Sequence, residues 1–134
     1  MKISFIKPFL FSIIILSLCN SCSKNEGTSA PPITKTIEYR IDPADNYIIK
    51  ITYNDQTSQS VTLNDINQMP GGIKNISVSS FPFTAKLEVQ VYNTTNATLN
   101  YSLIILVDNQ VKKLYQLQAP PAATSTGQAE FVVQ

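Results

Sequence analysis

An all-β fold, an antiparallel Ig-like β-sandwich of seven to eight strands behind a cleaved lipoprotein signal peptide, is what this sequence predicts. Three observations predict it. From Ile33 to Val133 apolar residues recur at a period of two, and turn-forming clusters of Asn, Asp, Gly and Pro punctuate them at short intervals. No window sustains a helical period. Alternation, rather than continuous apolar runs, is the pattern of two stacked sheets that each bury one face.

The chain opens with Lys2 and Lys7, a short basic region, followed by Phe9 to Leu18, which is apolar apart from Ser12 and Ser17. A helix of ten residues spans about 15 Å, half the hydrocarbon thickness of a bilayer, so the run reads as a removable export signal. Cys22 follows the small residue Ser21 and precedes polar chain. Lipoprotein processing acylates such a thiol and cuts on its amino side, which makes Cys22 the expected lipidation site. Cys19 is the rival acceptor, but it follows the bulky Leu18. One departure is that Cys19 itself occupies the position three before Cys22, where Leu is usual. A plain secretory signal with a Cys19–Cys22 disulfide is the remaining alternative. Two cysteines three apart at the end of an apolar run, with none elsewhere, do not resemble a fold staple.

Residues 1–21 are then the signal peptide, and 113 of the 134 residues remain, enough for one domain. Residues 22–32 hold one Gly, two Pro and no large apolar side chain, the composition of a flexible tether. The sandwich domain is expected at 33–134. Anchoring at Cys22 places the protein in the cell envelope, as an outer-membrane lipoprotein on the periplasmic face or the cell surface.

The first strand carries Ile33, Ile37, Tyr39 and Ile41 inward, and Asp42 to Asn46 turns the chain. Tyr47, Ile49, Ile51 and Tyr53 are the expected inward row of the second strand, answered by Val61 and Leu63 across a hairpin. Met69-Pro70-Gly71-Gly72 breaks the alternation, and a short strand with Ile76 and Val78 inward follows. Ala85, Leu87, Val89 and Val91 form the cleanest inward row. Asn93 to Asn96 turns into Leu99, Tyr101, Leu103, Ile105 and Val107. Asp108-Asn109 suits a tight turn, because both residue types tolerate positive φ. Val111 to Leu117 returns, Ala119 to Ser125 is a Pro/Ala loop, and Ala129, Phe131 and Val133 close the chain. Leu103 to Val107 is apolar on both faces, which predicts a central, covered strand or a patch for a partner.

Tyr39-Arg40-Ile41, Ile49 to Tyr53, and Tyr101 to Leu114 with its Ile-Leu-Val-Asp-Asn-Gln-Val-Lys core resemble, in order, the small β-sandwich proteins of the MmpS type (mycobacterial membrane protein, small). The resemblance covers Tyr39 to Val133. Asn109 stands where that family usually has Gly, and the disulfide of some members has no Cys here to form it. The resemblance implies an envelope accessory protein working beside an exporter of lipids or small molecules.

Composition narrows the chemistry. The chain has no His and no Trp, and only 14% of its residues are charged. After processing, eight basic residues face nine acidic ones, which gives no electrostatic reason to expect nucleic acid. Nucleophile–base pairs and zinc sites lack their usual parts, so no enzyme activity, metal or cofactor is expected. Asp42, Asp45 and Asn46 offer oxygen ligands for calcium, but such residues ordinarily build a turn by bonding their own backbone.

Two function classes remain. The first is a non-catalytic adaptor whose sandwich docks on an envelope protein such as an export complex. Tyr92, Ile104 and Leu106, all in the outward phase, are its candidate partner surface. The second is a ligand- or glycan-binding module, with Phe81 and Phe83 as candidate contacts. The plainer reading of Phe81-Pro82-Phe83 is a loop plug over one end of the core.

Overall fold

Eight strands form, as the alternation predicts: β1 (Lys35–Asp42), β2 (Ile48–Asn54), β3 (Ser60–Leu63), β4 (Ile73–Val78), β5 (Phe83–Tyr92), β6 (Leu99–Val107), β7 (Gln110–Ala119) and β8 (Thr124–Val133). They are seen in a computed structural model that describes residues 30–134; the expected signal peptide, Cys19, Cys22 and most of the expected tether lie outside the described residues. Every pairing is antiparallel. One sheet has the order β4-β1-β6-β7 and the other β3-β2-β5-β8. Only β2–β3 and β6–β7 are hairpins within a sheet; the other connections cross between sheets.

The inward rows of both sheets merge into one core. Ala85, Leu87, Val89 and Val91 of β5 are wholly buried, and so are Leu103 and Ile105 of β6. Fully burying an aliphatic side chain of this kind contributes about 1.5–3 kcal/mol, so these rows carry most of the stabilisation that a domain with no cysteine beyond Cys22 must find. At the edge where the sheets meet, Gly127 of β8 lies under β7. A Cβ there would sit 2.7 Å from Tyr115 Cε1 and 3.1 Å from Leu117 Cβ, so glycine sets how closely the sheets approach.

Turn chemistry follows composition. Asp108 and Asn109 both take positive φ, at 50° and 63°, and join β6 to β7 in two residues. Asp55 closes the β2–β3 turn by accepting from the backbone N–H and hydroxyl of Thr57 and from the N–H of Gln59. These bonds, that of the Thr57 hydroxyl foremost, hold its carboxyl below the ordinary range. The Met69 break becomes two short 3-10 turns, Ile66–Gln68 and Pro70–Gly72. Gly72 has φ +68, and a Cβ there would meet the Ile41 carbonyl oxygen at 2.4 Å.

Three expectations need correction. Ile33 precedes β1 and is 71% exposed. In β2 a register shift between Ile48 and Lys50 inserts an extra residue against β5. Such a bulge exchanges faces, so Ile48 is buried and Ile49, expected inward, is exposed. The third correction is Phe83: it is the first residue of β5 and lies in the core, 1% exposed, so it cannot serve as a ligand contact.

Candidate partner surface

The outer face of the β4-β1-β6-β7 sheet carries a row of neighbours set by register. Ile73 of β4 pairs with Arg40 of β1, Arg40 with Ile104 of β6, and Ile104 with Leu114 of β7. Ile73 is exposed, Leu114 is 52% exposed, and Ile104 is half-buried between them. Arg40 does not stand free in this row. Its Nε donates to Glu38 Oε1 at 2.8 Å, and the two form an ion pair two residues apart on β1. The row is therefore apolar on both sides of a neutralised charge pair.

The expected trio does not assemble. Tyr92 ends β5 and is exposed on the outer face of the other sheet, so Ile104 and Tyr92 lie on opposite faces of the sandwich. Leu106 takes the outward phase but is only 7% exposed, with Glu38 on one flank and Val111 on the other. It is covered, the first of the two outcomes expected for the doubly apolar stretch of β6, and it offers a partner little surface. Of the three, Ile104 alone belongs to the exposed row. Phe81 is half-buried against the core, with Lys35 Nζ 5.5 Å from its ring centroid, as a plug would be.

Leu114 was not among the residues singled out from sequence. The reason is a second bulge: Ile105 pairs with Lys113 but Leu106 pairs with Val111, so β7 gains one residue at Lys112. Val111 and Leu114, three apart, consequently share the outer face. A spacing of three between apolar residues just after a tight turn was the available signal.

Polar side chains that could suggest chemistry are engaged in structure instead. The Tyr101 hydroxyl donates to Asp45 at 2.9 Å (Oδ1) and 3.0 Å (Oδ2), and Asp45 Oδ1 also accepts the Tyr47 N–H at 3.1 Å. Asp45 is thus committed to its own turn and to the core. Burial, then the bond to Asp45, pushes the Tyr101 hydroxyl well above the ordinary tyrosine range. Tyr39, whose hydroxyl donates to the Asn54 carbonyl at 2.8 Å, is pushed the same way by burial. Asn93 is the one polar side chain wholly buried among the described residues. Its amide donates to Ala97 O (2.7 Å) and Ala119 O (2.8 Å), while its Oδ1 accepts from the N–H and hydroxyl of Thr95, both at 2.8 Å.

Among the described residues no helix is long and apolar enough to cross a membrane, and no three His, Cys, Asp or Glu side chains gather as metal ligands. Comparison with known protein families and with curated proteins finds no match for this sequence.

Proposed function

We propose that this protein is a lipid-anchored envelope lipoprotein of Ig-like fold that acts as a non-catalytic adaptor for a protein partner such as an export complex. The single observation that supports it best is the exposed Ile73–Arg40–Ile104–Leu114 row on one sheet face. Exposed apolar side chains gathered on one sheet face, here on both sides of a neutralised charge pair, mark interaction surfaces more often than isolated exposed aliphatics do. The Ig-like assignment draws support from pairing order. The β6-β1-β4 run parallels strands A, B and E of an Ig sheet, and β2-β5-β8 parallels C, F and G. The A position is filled here from later in the chain. Resemblance to the MmpS type adds the exporter as the kind of partner. Acylation at Cys22 supplies the anchor, each buried CH₂ contributing about 0.8 kcal/mol.

The test has two parts. Replacing Ile104 and Leu114 together by Ser should abolish capture of a defined partner from cross-linked envelopes while circular dichroism stays unchanged. Leu106 is left intact because its burial would confound the result. In parallel, Cys22→Ser should lose labelled palmitate; equal incorporation would overturn the anchor. The glycan-binding alternative has lost Phe83, and a calorimetric glycan panel with no heat would close it.

A further inference from the structure

We infer that a second copy of this chain adds at the free edge of β8, strand to strand: two β8 strands pair antiparallel about a two-fold axis at Gln128 and join two β3-β2-β5-β8 sheets into one. The inference does not depend on the anchor reading above.

The ladder between β5 and β8 fixes which backbone groups of β8 are free. Asn93 N–H donates to the Ala123 carbonyl at 3.0 Å, whereas Tyr92 N–H turns the other way, to the Tyr47 carbonyl at 2.8 Å. Backbone groups alternate sides along an antiparallel strand, and β5 and β8 pair from Tyr92–Thr124 to Phe83–Val133 without a register shift. Thr124, Thr126, Gln128, Glu130 and Val132 therefore aim their N–H and C=O groups at the outer edge, where no strand or loop bonds them among the described residues. β7 approaches β8 over the inner face of Gly127, not along this edge.

The other three edges carry devices that block strand addition, and β8 does not. β3 has only four residues. β4 holds Lys74 in the inward phase opposite Tyr39, its Nζ 5.8 Å from the Tyr53 ring centroid. β7 is bulged at Lys112 and bears both Lys112 and Lys113. β8 is ten residues long, without bulge, Pro or Lys, and its one charge, Glu130, lies opposite Lys86 of β5. A second β8 fits this edge because the five free residues are symmetric about Gln128. Centred there, an antiparallel partner bonds all of them: Thr124 faces Val132, Thr126 faces Glu130, and Gln128 faces its own copy. Moving the axis to Ala129 leaves Thr124 without a partner in β8, and moving it to Glu130 sets two carboxylates face to face. The paired copies point their ends in opposite directions. The thirteen residues from Cys22 to Lys35 reach up to about 45 Å, against about 33 Å for a ten-residue strand, which lets both copies anchor in one bilayer. The Ile73–Leu114 row lies on the other sheet and stays open to its own partner.

The test uses the full-length protein in intact envelopes. In Gln128→Cys the two thiols face each other across the axis, at a Cα separation of about 5.5 Å that a disulfide spans. Mild oxidation should yield several-fold more linked dimer than Thr62→Cys, on the β3 edge, or wild type. Coexpressed Thr126→Cys and Glu130→Cys chains should link to each other rather than to themselves. Gln128→Pro removes an N–H that β5 does not use, so the fold should stand while the detergent-solubilised protein drops from dimer to single chain in sedimentation. Should the proline unfold the domain by circular dichroism, Gln128→Lys, which sets two like charges at the axis, takes its place. Linkage at position 128 no greater than at 62, wild type that sediments as a single chain, or a dimer that survives in the folded variant each overturns the inference. Single chains whose amides at Thr126, Gln128 and Glu130 resist hydrogen exchange overturn it too, in favour of a different strand on the same edge.

Discussion

The side-chain amide of Asn93 donates to the backbone carbonyl of Ala119 across 2.8 Å, joining the loop after β5 to the last residue of β7, 26 residues along the chain. The same side chain ties Thr95 and Ala97, and the Asn93 N–H bonds the Ala123 carbonyl at 3.0 Å. One buried amide thereby fixes two loops at the end of the sandwich opposite the β6–β7 turn.

Asn93→Ala leaves the buried Ala119 carbonyl without its donor, and an unpaired buried group of this kind costs about 1–3 kcal/mol. Asn93→Asp keeps the acceptor for Thr95 but turns a carboxylate oxygen toward two carbonyls, so it should destabilise more than Ala despite its matching shape. Thermal melts of both variants check the order. If Asp proves the milder change, the donor bonds do not hold these loops.

Leu103→Ala removes a wholly buried side chain from the middle of β6. Lost burial and the residual cavity should together cost about 2–5 kcal/mol, a large part of the 5–15 kcal/mol typical of a domain. Val89→Ala, buried to the same degree on the facing sheet, should be destabilising and smaller, since fewer methyl groups are lost. Urea midpoints measure both; a midpoint equal to wild type for Leu103→Ala would place that residue outside the core.

Alkaline pH should weaken the fold through Tyr39 and Tyr101. Both are neutral and buried, with hydroxyls raised above the ordinary value of about 10. Above that value the unfolded chain releases these protons while the folded chain retains them, so stability is full below it and declines as pH rises past it. Melting temperature should fall from pH 10 to 12. In Tyr39→Phe/Tyr101→Phe the fall should be shallower, although the starting stability is lower for want of the bonds to Asn54 and Asp45. Parallel slopes in the two proteins would remove these hydroxyls as the cause.

Strand identity and most inward rows were legible in the sequence. Period-two alternation is a local property, and the rows of β1, β5 and β6 needed nothing beyond it. The Asp108-Asn109 turn was equally legible, because positive φ is a property of those two residues. The tertiary structure decided what depends on register and on neighbours. Bulges at Ile48–Lys50 and at Lys112 exchanged faces, burying Ile48, exposing Ile49 and bringing Leu114 beside Ile104. A bulge arises from how two strands pair, so neither strand's pattern announces it alone. Tyr92 and Ile104 share an outward phase, yet the chain crosses to the other sheet between them, which puts them on opposite faces. Asn93 reads as an ordinary turn asparagine in the sequence; packing buries it and gives it four hydrogen bonds to three residues, Thr95, Ala97 and Ala119. Periodicity tells a side chain to leave its strand up or down; only the assembled sheets determine what waits there.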